Sequence, residues 1–245
     1  MQIVIGAGEV GRAVYEVLSA KHHCELWDVN PNDGEHEHVK DSSTHDGVKV
    51  QCLHVCFPWH DDFLDSVVGW QQHMECNAVV VHSTVPVGTT AQIPNAVHSP
   101  IRGVHPNLAE GVRTFVKYFA GLADIGIDAF RACGVPCRYL GEDSRITEAG
   151  KLWSTTQYGA AIMVQKAIYD YCLRLGLPFS MVYEQFNYSY NEGYSKLEMF
   201  NVRRPTIGHM PGPIGGHCVI PNAKLLDDDI GAWIIERNER LKEGE

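Results

Sequence analysis

The chain has 245 residues, 44% of them hydrophobic, with a formal charge of -10 and a pI near 5.7. That length serves one large domain or two modest ones around a buried core, and the acidic balance, with no basic stripe, argues against a nucleic-acid partner. No apolar run approaches membrane-spanning length, so no membrane association is expected.

In chain order, Met1-Gln2-Ile3-Val4-Ile5 reads as a short apolar strand that runs into Gly6-Ala7-Gly8-Glu9-Val10-Gly11, with a helix predicted over residues 12–20. This GxGxxG turn between strand and helix has a physical division of labour. Gly6 allows the tight turn, Gly8 lets a pyrophosphate approach the backbone, and Gly11 lets the helix pack on the strand. Free N–H groups and the positive end of the helix dipole then face the phosphates. A second strand, Cys24-Glu25-Leu26-Trp27-Asp28, ends in an acid seventeen residues after Gly11, near where a carboxylate receives the adenine-ribose hydroxyls of NAD. NAD is therefore read over NADP, whose site more often carries Arg or a small polar residue; alternatively Asp28 caps a turn-rich loop.

Residues 30–47, with His36, His38 and His45, read as a solvated loop, and no metal is predicted. Residues 48–57 read as a strand arriving at Pro58, 61–74 as a helix and 78–82 as an apolar parallel strand. That strand exits into Ser83-Thr84-Val85-Pro86-Val87-Gly88-Thr89-Thr90, and Pro58, Ser83 and Thr84 join Gly6, Gly8, Glu9, Val10, Gly11 and Asp28 as expected cofactor contacts, because ligands sit beyond the carboxyl ends of such strands. Residues 96–98 lead to another such exit, 103–111 read as a loop, and 115–120 as a last strand. Residues 1–143 are thus expected to form a Rossmann-type doubly wound parallel sheet, an α/β unit.

The pattern changes after residue 143. Leu152, Ala160, Met163, Val164, Ala167, Ile168, Tyr171 and Leu175 recur at helical spacing across residues 144–175, a helix of about 45 Å. It begins an expected all-α domain over residues 144–245. Gly176-Leu177-Pro178 stops it, Ser180 is placed to cap a following helix, and Phe186, Tyr190 and Tyr194 form an aromatic face suited to core or dimer surface. Residues 205–217, dense in glycine and proline, end in Gly215-Gly216-His217-Cys218. At the start of a short helix Cys218 would favour thiolate. A thiolate beside a nicotinamide can attack an aldehyde, give a thiohemiacetal and, after hydride loss, a thioester that water cleaves; the alternative is a buried spacer cysteine. The eight cysteines are scattered as reduced thiols would be, the pairs Cys52/Cys56 and Cys133/Cys137 are read as buried small apolar residues, and with Met1 opening the first strand the cytoplasm is the expected compartment.

Gly6-Ala7-Gly8-Glu9-Val10-Gly11, the Ser83–Thr90 stretch, Leu108-Ala109-Glu110-Gly111, Glu148-Ala149-Gly150-Lys151-Leu152 and Gly215-Gly216-His217-Cys218 stand in the order seen in the UDP-glucose/GDP-mannose dehydrogenase family, which the chain therefore resembles. The GGHC form looks closest to enzymes acting on N-acetylated nucleotide sugars. The resemblance implies an NAD-binding domain, a helical domain whose long helix mediates a homodimer, and two successive oxidations of a sugar C6 alcohol. It makes Cys218 the nucleophile, Lys151 the base or oxyanion-stabilising cation, Thr84 a nicotinamide or water contact, and Glu110, Asn107, Gly216 and His217 substrate-side residues.

The chain departs from that pattern in three places. Thr155 stands where the family has an oxyanion-holding Asn, Asn222 where it has a carboxylate, and Asn107 is nearest to an acidic loop residue. Thr155 and Asn222 thus join Lys151 and Cys218 as the catalytic set, with Asn222 unable to act as a base. The chain also ends 27 residues after Cys218, so a shortened form without the family's second nucleotide-binding domain is expected. Two other readings follow: a two-electron, lysine-dependent dehydrogenase of the 6-phosphogluconate dehydrogenase type, and a non-catalytic NAD-binding sensor or assembly protein.

Overall fold

Alternation in the strands of the first half puts one apolar set on each side of a sheet, so helices must cover both faces. In the computed structural model, which describes residues 1–29, 39–41, 49–76, 78–103, 106–122 and 125–243, this is what forms. The strands are β1 (Gln2–Ile5), β2 (Cys24–Asp28), β3 (Val39–Asp41), β4 (Cys52–Val55), β5 (Val79–Val81), β6 (Ala96–His98), β7 (Lys117–Gly121) and β8 (Cys137–Tyr139). Among the described residues they make one sheet in the order β3-β2-β1-β4-β5-β6-β7-β8, with every neighbouring pair parallel except β6 with β7. Connections run through α1 (Glu9–Ser19), α2 (Phe63–His73), α3 (Leu108–Thr114) and α4 (Ile127–Ala132).

Ile3, Ile5, Leu53, Val55, Val79 and Val81 face Phe63 and Val67 of α2. Val4, Val80, Val97 and Phe119 face Val14 and Leu18 of α1, Val112 of α3 and Phe130 of α4. The two sets are offset by one residue, as the strand period of two requires. Each fully buried Val, Leu, Ile or Phe contributes roughly 1.5–3 kcal/mol, which makes these two layers the main support of the sheet.

The chain folds into two compact units, Met1–Lys151 and Leu152–Glu245. α5 (Arg145–Leu175) begins in the first unit and continues into the second, where α6 (Phe186–Lys196), α7 (Val219–Leu225) and α8 (Asp229–Glu243) follow. Gly176, at φ +65, ends α5 by letting the Leu177 N–H return to the Cys172 carbonyl at 2.9 Å. The chain is therefore a Rossmann-type α/β sheet followed by an all-α region.

Four expectations for local structure need correction. Residues 39–41 are an edge strand, Val39 lying opposite Leu26, rather than part of a loop. Residues 108–114 are helical rather than looped, because Leu108 and Val112 share one buried face and Gly111 lets that helix lie against Gly103. β8, a partly exposed edge strand of three residues too short to show alternation, follows the strand expected to be last. Ser180 is not a cap: helical bonding already starts from the Pro178 carbonyl, and residues 180–185 form a π-helical turn leading into α6. His36, His38 and His45 lie outside the described residues. None of the eight cysteines is in a disulfide, and Cys133 and Cys137 are half-buried rather than buried. Among the described residues no helix is long and apolar enough to cross a membrane.

Candidate active site

The glycine turn is fixed by what its glycines exclude. A Cβ on Gly6, at φ +97, would lie 2.7 Å from the Phe57 amide nitrogen, and one on Gly11 would lie 1.7 Å from the Gly6 carbonyl oxygen. Neither position accepts a side chain. Gly8 is the opposite case, with no atom within 4 Å of its missing Cβ, and it caps the N-terminus of the 11-residue α1. Amide N–H groups of a first helical turn lack partners within the helix, so this open side suits an anion. Glu9 is exposed and Val10 half-buried in that turn.

Because β2 pairs with β1 in parallel, Ile5 opposite Trp27, Asp28 emerges beside the turn. Its Oδ2 accepts a hydrogen bond from the Ala7 N–H at 2.6 Å. This bond orients the carboxylate toward the glycine turn. A cleft of about 390 Å³ opens here, lined by Gly6, Asp28, Phe57, Pro58, Trp59 and Trp70 among others. The glycines, the acid and the aromatic walls fit a dinucleotide; Trp59 and Trp70 carried no sequence signal for this role.

The β5 exit is tied down from two sides. Ser83, buried, donates from Oγ to the Phe57 carbonyl at 2.6 Å, which joins the β5 exit to the β4 exit; Thr84 beside it is half-buried. Glu148 on α5 is fully buried, and its carboxylate accepts from the Gly88 N–H at 2.6 Å and the Thr90 N–H at 2.8 Å. This clamp on the β5 exit was not legible in the sequence: Glu148 lies within Glu148-Ala149-Gly150-Lys151-Leu152, but an internal acid serving a remote loop has no local pattern. Lys151, half-buried and the last residue of the first unit, donates from Nζ to the Ile101 carbonyl at 2.8 Å. Asn107 and Glu110 are exposed at the start of α3, where Glu110 accepts a bond from Thr114 at 3.2 Å.

In the second unit the cysteine loop is held by side chains from the helices. Lys166 of α5 donates to the Met210 and Gly212 carbonyls at 2.5 and 2.6 Å, and His209 stacks on Tyr169 at 3.5 Å. Asn238 of α8 accepts from the Ile214 N–H at 2.6 Å. The loop delivers half-buried Cys218 to the N-cap position of α7, after Gly216 at φ +78 and the exposed His217. Four residues on, buried Asn222 donates from Nδ2 to Thr155 Oγ1 at 2.8 Å, and Thr155 donates to the Leu152 carbonyl at 3.0 Å. Two of the three residues that depart from the resembled pattern are therefore partners in one hydroxyl–amide pair. Gly159 makes the close approach possible, since a Cβ there would meet Val219 at 2.5 Å.

No protein-family model and no curated protein matches the chain. Solved structures do. A UDP-D-ManNAc dehydrogenase from Pyrococcus horikoshii superposes with a TM-score of 0.77 at 17% identity, over 98% of this chain and 69% of that one. A UDP-glucose dehydrogenase from Pyrobaculum islandicum gives 0.67 at 18%, over 99% and 68%. The 3-hydroxyisobutyrate dehydrogenase of Mycobacterium tuberculosis gives 0.69 at 11%, over 99% and 93%. The likeness is one of fold: the chain spans about two thirds of the two UDP-sugar dehydrogenase chains and nearly all of the hydroxyacid enzyme.

Proposed function

We propose that the chain is an NAD-dependent oxidoreductase acting on an alcohol or aldehyde, with a sugar C6 as the leading substrate group. The observation that carries this reading is Asp28, oriented by the Ala7 amide beside the open Gly8. NAD supplies the hydride acceptor when bound. Gly6, Gly8, Glu9, Val10 and Gly11 shape the pyrophosphate site, Asp28 receives the ribose hydroxyls and would repel a 2′-phosphate, and Pro58, Ser83 and Thr84 complete the cofactor side. In this reading Cys218 Sγ adds to an aldehyde carbonyl and Lys151 handles the proton at the reacting oxygen. Thr155 and Asn222 supply neutral hydrogen bonds, and Asn107, Glu110, Gly216 and His217 meet the substrate. The exposed apolar residues Tyr171, Leu175, Met181 and Phe186 support a homodimer through the second unit. Eight cysteines without a disulfide suit the cytoplasm.

A second reading, a two-electron dehydrogenase that uses Lys151 and needs no thiol, is favoured by the commitment of Asn222 to Thr155 and by the fold match to nearly the whole hydroxyacid enzyme. The rate of Cys218 alkylation against pH, with and without NAD and with the other cysteines as internal controls, separates the two. A midpoint well below the free thiol's value of about 8.5 that responds to NAD supports covalent catalysis. A Cys218 that behaves like the buried thiols, with Cys218→Ser retaining NADH formation on an alcohol panel, leaves the second reading.

A further inference from the structure

Between the sheet and α4 lies a run of polar side chains that the proposed chemistry leaves unused. Gln2 on β1, His54 on β4, His82 just past β5 and Lys117 at the start of β7 are at most 4% exposed. Groups of this kind are seldom buried without a partner. Here they link end to end. Gln2 Nε2 donates to Gln51 Oε1 at 3.1 Å, Gln2 Oε1 lies 3.0 Å from His54 Nε2, His54 Nδ1 lies 3.0 Å from His82 Nε2, and His82 Nδ1 lies 3.2 Å from Lys117 Nζ. The Ser99 carbonyl oxygen closes the run, 2.7 Å from His82 Nδ1 and 3.0 Å from Lys117 Nζ. Phe130 of α4 stands edge-on to both imidazoles, with Lys117 Nζ 4.8 Å from its ring centre.

Counting protons gives this chain two self-consistent states. With Lys117 charged, the ammonium donates to both Ser99 O and His82 Nδ1; His82 then carries its proton on Nε2 and donates to His54 Nδ1, and His54 donates from Nε2 to Gln2 Oε1. With Lys117 neutral, His82 carries its proton on Nδ1 and donates to Ser99 O. His54 must then donate from Nδ1, and the Gln2 and Gln51 amides turn over to match. An ammonium 3.2 Å from His82 Nδ1 favours the first direction, and a neutral amine, which can accept a hydrogen bond there, favours the second.

The surroundings place that choice near neutral pH. Burial, with smaller contributions from Lys117, lowers His54 to about 3 and takes His82 well below its ordinary value, so both stay neutral. Burial also lowers Lys117 to about 7. The groups acting on Lys117 are the thiols Cys56 of the β4 exit and Cys137 of β8 and the cation Lys151 of α5. His82, and His98 of β6, complete the set, since Lys117 in turn helps to hold both of them neutral. Both thiols are pushed up by burial, so neither is an anion at that pH.

We propose that Lys117 is a positioning residue for Lys151, acting through residues 99–101, and that the His82, His54 and Gln2 chain is the proton-linked part of the device. Lys117 and His82 share the Ser99 carbonyl, and Lys151 rests on the Ile101 carbonyl two residues later. In this proposal a change in which group donates to Ser99 is passed along residues 99–101 to Lys151. This rests on Lys151 as the acid–base residue of the reading above, but neither test below requires turnover, so an inactive protein still decides it.

The full chain carrying ¹⁵N-labelled histidine reports the tautomers directly by NMR between pH 6 and 8.5, and competitive acetylation with peptide mass spectrometry gives the reactivity of Lys151 over the same range. The expected result is a His82 proton that moves from Nε2 to Nδ1 with a midpoint near pH 7, and an inflection in Lys151 reactivity at the same pH that disappears in Lys117→Met. A single His82 tautomer throughout, or an unchanged Lys151 profile in Lys117→Met, overturns the proposal. If Lys117→Met does not fold, the wild-type pair of titrations decides alone: coincident midpoints support it and independent ones reject it.

Discussion

The two glycine-rich loops reach their positions by opposite means. In the first, Gly6 and Gly11 are demanded by backbone atoms of Phe57 and Gly6, 2.7 and 1.7 Å from where a Cβ would be, so steric exclusion by the backbone sets the turn. In the second, Gly208, Gly212 and Gly215 have nothing within 4 Å, and the loop is placed by Lys166, Tyr169 and Asn238 reaching it from α5 and α8. The first loop is fixed by backbone packing that only glycine permits; the second is tethered by side chains from two helices. Substitutions should therefore act on them differently.

The largest effect is expected at Gly11→Ala, where the added methyl meets a carbonyl at 1.7 Å: a loss of at least about 3 kcal/mol in urea unfolding, with NAD binding abolished. Gly8→Ala is the matched control and should leave stability within about 1 kcal/mol while weakening NAD at least tenfold by calorimetry, because only the ligand needs that space.

Acid should act on the sheet that carries the first loop before it acts on the second. His54 and His98 titrate near pH 3 when folded, and His82 well below its ordinary value, all chiefly through burial, against 6.5 when unfolded. Unfolding then takes up protons below pH 6.5, so stability falls as the pH drops from 6.5 toward 3, by on the order of 3 kcal/mol at pH 5.5. Lys117, lowered to about 7 from 10.5, binds its proton more weakly when folded, so its cost is full below pH 7 and is relieved as the pH rises. Denaturation at pH 5.5, 6.5 and 8 checks both signs, and a flat profile would contradict the buried histidines.

Smaller effects belong to the tethered loop. Lys166→Met removes two bonds to carbonyls and is expected to cost about 2 kcal/mol and to speed cleavage within residues 205–217 in limited proteolysis, whereas Gly215→Ala should change neither. The smallest is the Thr155 and Asn222 pair, whose double-mutant cycle should give a coupling of about 1 kcal/mol.

This contrast also explains what was legible in the sequence. β1, the glycine turn, β2 with its terminal Asp28 and the long α5 each have a local signature of period, turn chemistry or spacing, and each stands where that signature put it. β3 and β8 are three-residue edge strands, too short to alternate, and exist because a neighbouring strand offers its edge. Glu148, Lys117 and the buried histidines were not legible as a system, since their partners lie 15 to 60 residues away in the chain. The Cys218 loop was legible as composition; what holds it was not.

The most direct test of the account is a calorimetric titration of the wild-type chain and of Asp28→Ala with NAD and with NADP. The account predicts that the wild type binds NAD at least tenfold more tightly than NADP and that Asp28→Ala loses most of that preference. Equal affinity for the two nucleotides in the wild type, or an Asp28→Ala protein that keeps the preference, would contradict it.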